Sequence, residues 1–281
     1  MSLVRVALYQ AQSGIDPGAN AARIVEAIGR ASDGGAAMLF TPEMSGMLDR
    51  ERERALGKAR REDEDEVLAA VRSAARSAGI WVHLGSLALR GDGDKLANRG
   101  FVIDAGGEIR ARYDKIHLFD VDLPTGESWR ESAMYAGGSE AVVVPDTPVG
   151  TLGLTICYDL RFPALFERLS EAGADVIAVP AAFTVPTGKA HWSVLLRARA
   201  IEAAAFVVAA AQAGRHEDQR ETYGHSLVAD PWGTVLVEMD DAPGLALVDL
   251  DLDRIAEVRG RIPVLAHRRE IARIDKAKPA P

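Results

Sequence analysis

The stretch TLGLTICYDLRFP, Thr151 to Pro163, decides the fold of this chain. Its first half is short, apolar and rich in Leu, Ile and Thr, a pattern typical of a strand buried on both faces. The only cysteine, Cys157, ends this run, and Pro163 then begins a helical pattern that stops at Gly173. We expect a partly exposed thiol at this strand-to-helix junction, with a helix N-terminus favouring its thiolate. An inert core thiol is the alternative, because free cysteine is commonly buried.

Composition restricts the class of protein. The 281 residues, 48% of them hydrophobic, suffice for one large core, and we expect a single domain over residues 1–281. The formal net charge of -8 argues against nucleic acid or an anionic membrane as a partner. We expect no membrane span and no signal peptide, and a single cysteine excludes an internal disulfide, so the cytoplasm is the expected compartment. The scattered histidines show no ligand spacing, so we expect no metal and no cofactor.

Strand and helix patterns alternate along both halves of the chain, with hairpins between them. We expect helices at 20–32, at 67–77, directly after Cys157, and at 191–202. The expected strands are 4–9, 37–40, 80–89, 99–104, 108–113, 142–144, 150–156, 175–179, 203–211, 226–229, 235–238 and 245–250. The pattern predicts mixed sheets covered by helices, and two sheets packed face to face would bury the apolar strands.

Two segments lack a clear apolar pattern. The stretch 49–66 is dense in both charge signs, and we expect a solvated helix or loop there. The basic stretch 259–269 contains Pro263 and begins an expected C-terminal arm over 259–281; a frayed terminus is the alternative.

A cysteine nucleophile needs a group that accepts its proton and donors that stabilise an oxyanion. Any of the six histidines is a candidate base, and the sequence alone does not choose between them. A carboxylate base with a lysine is the alternative. Glu43 in FTPE and Lys115 in RYDKIHLFD both follow predicted strands, where ligands gather in α/β folds. The competing interpretations are a solvated turn residue for Glu43 and an ordinary surface lysine for Lys115.

The segments FTPE, YDKIHLFD and TICYDLRFP, in this order, resemble the three signature segments of the nitrilase superfamily of carbon–nitrogen hydrolases. The resemblance covers nearly the whole chain and implies an α/β fold, a four-layer αββα sandwich, and a homodimer or higher homo-oligomer. It implies that Cys157 is the nucleophile, Glu43 the general base and acid, and Lys115 the oxyanion stabiliser. A second glutamate of the family falls on Glu131, which would orient Lys115 or the attacking water.

Two further segments, AFTVPTGKAHW and GRHEDQRETYGHS, resemble the branch that hydrolyses deaminated glutathione, with the ω-amidases acting on 2-oxoglutaramate as nearest relatives. A nitrilase proper and a catalytically idle binding scaffold are two competing hypotheses for the function. Both amide substrates are small anions, so the site needs cations. The candidate substrate-binding residues are Tyr158, Arg161, Thr184, Thr187, Lys189, His191, Arg215 and His216. We also expect a structural Asp159–Arg161 ion pair, and a helix that begins at His191.

Overall fold

Two mixed β-sheets form the centre of the molecule in a computed structural model, which describes residues 2–91, 93–122, 126 and 128–272. The strands are β1 (Leu3–Gln10), β2 (Met38–Phe40), β3 (Trp81–Arg90), β4 (Leu96–Ile103), β5 (Ile109–Asp114), β6 (Asp120–Asp122), β7 (Ser128–Arg130), β8 (Tyr135–Ala136), β9 (Val143–Thr147), β10 (Gly150–Leu154), β11 (Val176–Ala178), β12 (Phe206–Ala209), β13 (Ala213–Arg215), β14 (Glu221–Tyr223), β15 (Leu227–Ala229), β16 (Val235–Glu238) and β17 (Gly244–Asp251). The helices are α1 (Pro17–Asp33), α2 (Arg52–Lys58), α3 (Glu66–Ala78), α4 (Pro163–Glu171), α5 (Val185–Ala203) and α6 (Asp253–Arg261).

The first sheet has the order β17-β1-β2-β3-β4-β5, with β8 beside β4, and the second has the order β16-β15-β12-β11-β10-β9. The middle strands of each sheet are parallel: β1, β2 and β3 in the first, and β10, β11 and β12 in the second. The outer strands pair antiparallel, except for β8, which is parallel to β4. Two short hairpins, β6–β7 and β13–β14, lie outside the main sheets. The predicted hairpin between β4 and β5 is confirmed.

Side chains of the first sheet alternate between two apolar cores, as the twofold period of a strand requires. One set packs in a core shared with the second sheet: Val6, Leu8, Met38, Phe40 and Val102. The alternate set packs against α1 and α3: Ala7, Leu39, Val82, Leu84, Phe101 and Ile103. Apolar residues of α4 and α5 join the core of the second sheet from the outside. The order is therefore helices, sheet, sheet, helices, which confirms the expected four-layer sandwich.

The structure differs from the sequence predictions at α5, β12 and the charged stretch. Helix α5 begins at Val185 rather than His191, because Pro186 fits the first turn, where its missing N–H costs nothing. The predicted strand 203–211 is shorter, since α5 continues to Ala203 and Ala204 caps it with a φ of 46°. The charged stretch 49–66 holds α2 and is mostly exposed, as expected for a solvated helix, except that Asp49 is buried and accepts from Arg54 at 2.6 and 2.8 Å.

The C-terminal stretch begins as a helix, because α6 extends to Arg261. Beyond it the chain folds back onto α4: Arg268 donates to the carbonyl oxygen of Glu167 and to the hydroxyl of Ser170. The rest of the predicted arm, 273–281, lies outside the described residues. Within the described ranges, no helix is both long and apolar enough to cross a membrane.

Candidate active site

A cavity of about 500 Å³ opens beyond the carboxyl ends of four strands. Glu43 follows β2, Lys115 directly follows β5, Cys157 follows β10, and Ala182 follows β11. These four residues and Glu131 all lie on the cavity wall. The structure thus brings together the four side chains to which the sequence assigned catalytic roles, and it does so where ligands gather in α/β folds.

Cys157 lies in a tight turn between β10 and α4. It begins a 3₁₀ helix, Cys157–Arg161, and has a φ of 52°, a left-handed conformation that costs energy in a residue with a side chain. The backbone N–H of Cys157 donates to the carbonyl oxygen of Pro180 at 2.8 Å, beyond β11. The turn is therefore fixed by its neighbour in the second sheet, which holds the sulfur at the cavity.

Asp159 ties this turn to the end of β5. Its carboxylate is fully buried and accepts from the hydroxyl of Tyr113 at 2.7 Å and from the backbone N–H of Ile156 at 2.9 Å. It also lies 2.7 Å from Nδ1 of His117 and accepts from the backbone N–H of that residue. The expected ion pair with Arg161 is wrong, because Asp159 points into the protein while Arg161 lines the cavity.

Glu43 is buried and held by three donors. Its Oε1 accepts from Nζ of Lys115 and from Nδ2 of Asn98, both at 2.9 Å, and its Oε2 accepts from the backbone N–H of Ala182 at 2.9 Å. The backbone around Glu43 is equally constrained: Gln212 donates to its carbonyl oxygen, and Met44 has a φ of 56°. The carboxylate therefore has a fixed orientation toward the thiol.

Lys115 lies between two carboxylates. Its Nζ donates to Glu43 at 2.9 Å and to both oxygens of Glu131, at 3.0 and 2.8 Å, and its side chain is only 2% exposed. Glu131 also accepts from the backbone N–H of Phe119 at 2.7 Å. A buried ammonium with two carboxylate partners keeps its charge and its place. Glu131 thus contacts Lys115 directly and is placed to orient its ammonium group.

Burial and neighbouring charges shift the pKa values of Glu43 and Lys115 in opposite directions. Burial alone would raise the pKa of Glu43, but the charge of Lys115 and hydrogen bonds from Cys157, Lys115 and Asn98 hold that pKa below its ordinary value. Burial would likewise lower the pKa of Lys115, but Glu131 and Glu43 raise it well above its usual range. The site thus contains an ionised carboxylate and a charged ammonium at neutral pH.

The Cys157 thiol differs from the sequence prediction in its exposure and in its protonation. Burial raises the pKa of the Cys157 thiol well above its usual range; the carboxylate of Glu43 raises it further, and Lys115 lowers it only in part. Cys157 is 8% exposed rather than partly open to solvent. The expected thiolate is therefore wrong for the resting site, which holds a protonated thiol beside a carboxylate that is ready to accept its proton.

None of the six histidines, all of which lie in the described part of the chain, lines the cavity. His83 is buried, and burial lowers its pKa to about 3. His117 bonds to Asp159 and stacks on Phe162. This leaves Glu43 as the group placed to accept the proton of the thiol.

The predicted substrate-binding residues fall into two groups. Four line the cavity: Tyr158, Arg161, Thr184 and Thr187. The other four do not: Lys189, His191, Arg215 and His216.

The structure places each residue of the second group in surroundings outside the cavity. Lys189 is exposed on α5, and Arg215 is exposed and donates to Gln219. His216 is buried between the carbonyl oxygen of Ser13 and the hydroxyl of Thr222. His191 does not line the cavity but contacts a residue that does, because its Nδ1 is 3.2 Å from Nη1 of Arg161. The structure therefore places the expected cations Lys189, Arg215 and His216 outside the cavity.

Sequence reasoning missed several residues of the site. Asn98 lies in the middle of β4 and donates to both glutamates, to Glu43 at 2.9 Å and to Glu131 at 3.3 Å. Arg220 and Trp129 also line the cavity. Asn98 lies just before the predicted strand 99–104 and carried no signal of its own. Arg220 lies within the segment GRHEDQRETYGHS, from which Arg215 and His216 were chosen as candidates instead.

Comparison with known proteins agrees with the family resemblance of the three signature segments. Residues 5–260 match the family model described as carbon–nitrogen hydrolase. The chain is 40% identical over 275 residues to a deaminated glutathione amidase of Yersinia enterocolitica, covering 97% of this chain and 95% of that protein.

Solved structures are similar as well. The C. elegans NitFhit protein superimposes with a TM-score of 0.87 and 37% identity, covering 95% of this chain and 65% of that one. An amidase variant from Nesterenkonia sp. superimposes with a TM-score of 0.78 and 28% identity, covering 95% of this chain and 94% of that one. That structure shows covalent addition of the acetamide moiety of fluoroacetamide at its active site cysteine.

Proposed function

The chain belongs to the carbon–nitrogen hydrolase family and is an amide-hydrolysing enzyme, and from this premise we propose that it cleaves deaminated glutathione to 2-oxoglutarate and Cys-Gly. The observation that carries the chemistry is the cluster of Glu43, Lys115, Glu131 and Cys157 in one cavity. The substrate is supported by the names of relatives about 40% identical over most of the chain.

In the first half-reaction, Cys157 attacks the amide carbon while Glu43 accepts the thiol proton. Lys115 donates to the developing oxyanion, as does the backbone N–H of Tyr158, which lies in the first turn of a 3₁₀ helix and so has no partner within that helix. Glu43 then returns the proton to the nitrogen as the C–N bond breaks. The amine leaves, and a thioester remains on Cys157.

In the second half-reaction, water attacks the thioester. Glu43 accepts a proton from the water, and the C–S bond breaks as the sulfur is protonated again. The products are a carboxylic acid and the free enzyme, so one water is consumed for each amide cleaved. Glu131 keeps Lys115 fixed beside Glu43 through both steps, and removal of one oxyanion donor typically lowers kcat by roughly a hundred- to a thousandfold.

We further propose that the protein is a cytoplasmic homodimer or higher homo-oligomer. The proposal on assembly is supported by large apolar side chains exposed on α5 and on the turn after β15: Val194, Ile201 and Trp232. The proposal on compartment is supported by the single cysteine, which is usual where thiols stay reduced.

The test is an incubation of the full-length protein with deaminated glutathione and, separately, with 2-oxoglutaramate. We expect release of Cys-Gly from the first substrate with a kcat/KM well above that for release of ammonia from the second. Cys157→Ala, the matched control, should release neither product. Equal or faster turnover of 2-oxoglutaramate would instead favour an ω-amidase, and turnover of a nitrile but not of an amide would favour a nitrilase.

A further inference from the structure

Arg220 contributes a guanidinium to the cavity wall whose hydrogen-bonding capacity is unused. Its Cζ lies 4.7 Å from the ring centroid of Trp129, and its side chain is 17% exposed. Its Nε is buried and has no hydrogen-bond partner among the residues that the structure describes. Buried donors in proteins are nearly always paired, so an unpaired guanidinium nitrogen at a cavity wall requires an explanation.

The nearest carboxylate does not satisfy this guanidinium. Asp218 is fully buried, but its Oδ1 accepts from the backbone N–H of Arg220 and its Oδ2 from the backbone N–H of Arg50. Nη2 of Arg220 lies 3.6 Å from Oδ2, too far for a good hydrogen bond. Asp218 therefore holds the arginine in place and leaves its N–H groups available to another anion.

The other arginines of the cavity differ from Arg220. Arg130 is 52% exposed and already bonds to both oxygens of Asp122. Arg50 is exposed. Arg161 lies against Tyr158 and Phe183 and contacts His191, on the wall next to the start of α5. Among the described residues of the wall, Arg161 beside the cysteine turn and Arg220 beside Trp129 are thus the two guanidiniums that are partly buried and donate no hydrogen bond to a carboxylate.

Arg161 and Arg220 lie at the two ends of a row of three aromatic rings on the cavity wall. Arg161 lies over Tyr158, the ring of Tyr158 packs edge-on against Phe119, and Phe119 contacts Trp129, over which Arg220 lies. Arg161 shares a 3₁₀ helix with Cys157. With the acyl part of the substrate beside Arg161, Arg220 is the guanidinium available to the leaving group.

We propose that Arg220 binds the terminal carboxylate of a peptide-like leaving group and so determines that the enzyme prefers a dipeptide amide to a primary amide. This rests on the proposed function and deepens it. Deaminated glutathione carries a second carboxylate on its glycine, whereas the leaving group of 2-oxoglutaramate is ammonia. A planar guanidinium over an aromatic ring is well suited to bind a carboxylate with two parallel hydrogen bonds.

The test compares Arg220→Gln with the wild type on both substrates. We expect kcat/KM for deaminated glutathione to fall about 10- to 100-fold, as for loss of a hydrogen bond to a charged group. We expect kcat/KM for 2-oxoglutaramate to stay within twofold, which also reports that the variant is folded. Arg215→Gln removes the same charge at the end of β13, outside the cavity, and should change neither value.

A second measurement changes the substrate. Deaminated glutathione with its glycine carboxylate converted to an amide should lose about the same factor in kcat/KM with the wild type, and Arg220→Gln should not distinguish the acid from the amide. Equal wild-type rates on the acid and the amide would overturn the assignment of Arg220. An equal loss on both substrates in Arg220→Gln would also overturn it. Absence of Cys-Gly release by the wild type would instead contradict the proposed function itself.

Discussion

Glu43 remains ionised in a buried position because its surroundings supply more donors than one carboxylate normally receives. Lys115, Asn98 and the backbone of Ala182 all donate to it. Each donor favours the charged form, and together they outweigh the cost of burial. The same carboxylate makes thiolate formation at Cys157 harder. The thiol therefore loses its proton only as it attacks, when Lys115 begins to stabilise a new anion.

Asn98→Ala tests this account through the pH dependence of activity. Only ionised Glu43 accepts a proton, so kcat/KM should fall on the acid side as pH drops through the folded pKa of Glu43, which lies below the ordinary value of about 4.3. Loss of the Asn98 donor raises that pKa. We expect the acid limb of the kcat/KM profile on deaminated glutathione to move to higher pH.

A suitable control for Asn98→Ala is Asn20→Ala. Asn20 is also buried, but it donates to the carbonyl oxygens of Gly14 and Gly46 rather than to the catalytic cluster. That variant should lose stability without any movement of the acid limb. An unmoved acid limb in Asn98→Ala would show that its amide does not help to keep Glu43 ionised.

At the residue scale, the sequence predicted the residues that carry a motif and missed those that act through position. Glu43, Lys115 and Cys157 stand in three recognisable segments, and the structure gathers them at one cavity. Asn98 stands in no such segment, and Arg220 stands in GRHEDQRETYGHS, where the sequence did not distinguish it from Arg215 and His216; the position of both depends on strand register and loop path. Lys189 and Arg215 have suitable charges but point to solvent.

At the element scale, the start of α5 forms part of the cavity wall. Thr184 directly precedes this helix and Thr187 lies in its first turn, and both line the cavity. Gly188 follows, and a Cβ at this position would lie 2.2 Å from Cγ of Tyr223 on β14. The close packing of α5 on β14 therefore requires a glycine here, although glycine is a poor helix former.

Gly188→Ala should separate α5 from β14 and displace the threonines of the wall. We expect a loss of roughly 1–3 kcal/mol in the free energy of unfolding, as for an overpacked core, and a higher KM for deaminated glutathione. Urea denaturation and steady-state kinetics measure the two effects. Gly29→Ala in α1 is the matched control: its new Cβ meets nothing within 4 Å, and it should stabilise the protein by about 0.5–1 kcal/mol. A stable Gly188→Ala variant with unchanged KM would contradict the packing argument.

The start of α5 also explains why the sequence prediction missed six residues of the helix. Pro186 and Gly188 usually interrupt helical patterns, so the apolar spacing was recognisable only from His191 onward. In the structure, the proline occupies the first turn, and the glycine serves the contact with Tyr223. Local propensity gave the wrong boundary because tertiary packing decided it.

At the scale of the whole molecule, both sheets contribute to one catalytic cluster. Glu43 and Lys115 follow strands of the first sheet, and Cys157 follows a strand of the second. Asp159 bonds across the two sheets to Tyr113. The face-to-face packing predicted from the apolar strands is therefore also what holds the nucleophile beside its base and its cation.

The outer face of α5 is the surface that we expect to form the contact between subunits. Val194 is 68% exposed and Ile201 is 49% exposed; they lie seven residues apart and so on one face of the helix. Ile201 lies next to Gly233, and Trp232 beside it is half exposed. Large apolar groups clustered on the outside of a helix are typical of a surface that is covered in an assembly.

A Val194→Glu and Ile201→Glu double variant should prevent this assembly, because charges on an apolar interface are costly to bury. We expect sedimentation velocity to show an oligomer for the wild type and a single chain for the double variant. Leu3→Glu, at an exposed apolar residue of β1, is the control and should leave the oligomer intact. A wild type that already sediments as one chain, or a double variant that stays assembled, would show that α5 is not the contact surface. Because α5 also carries Thr187 on the cavity wall, we expect the dissociated variant to have a higher KM for deaminated glutathione.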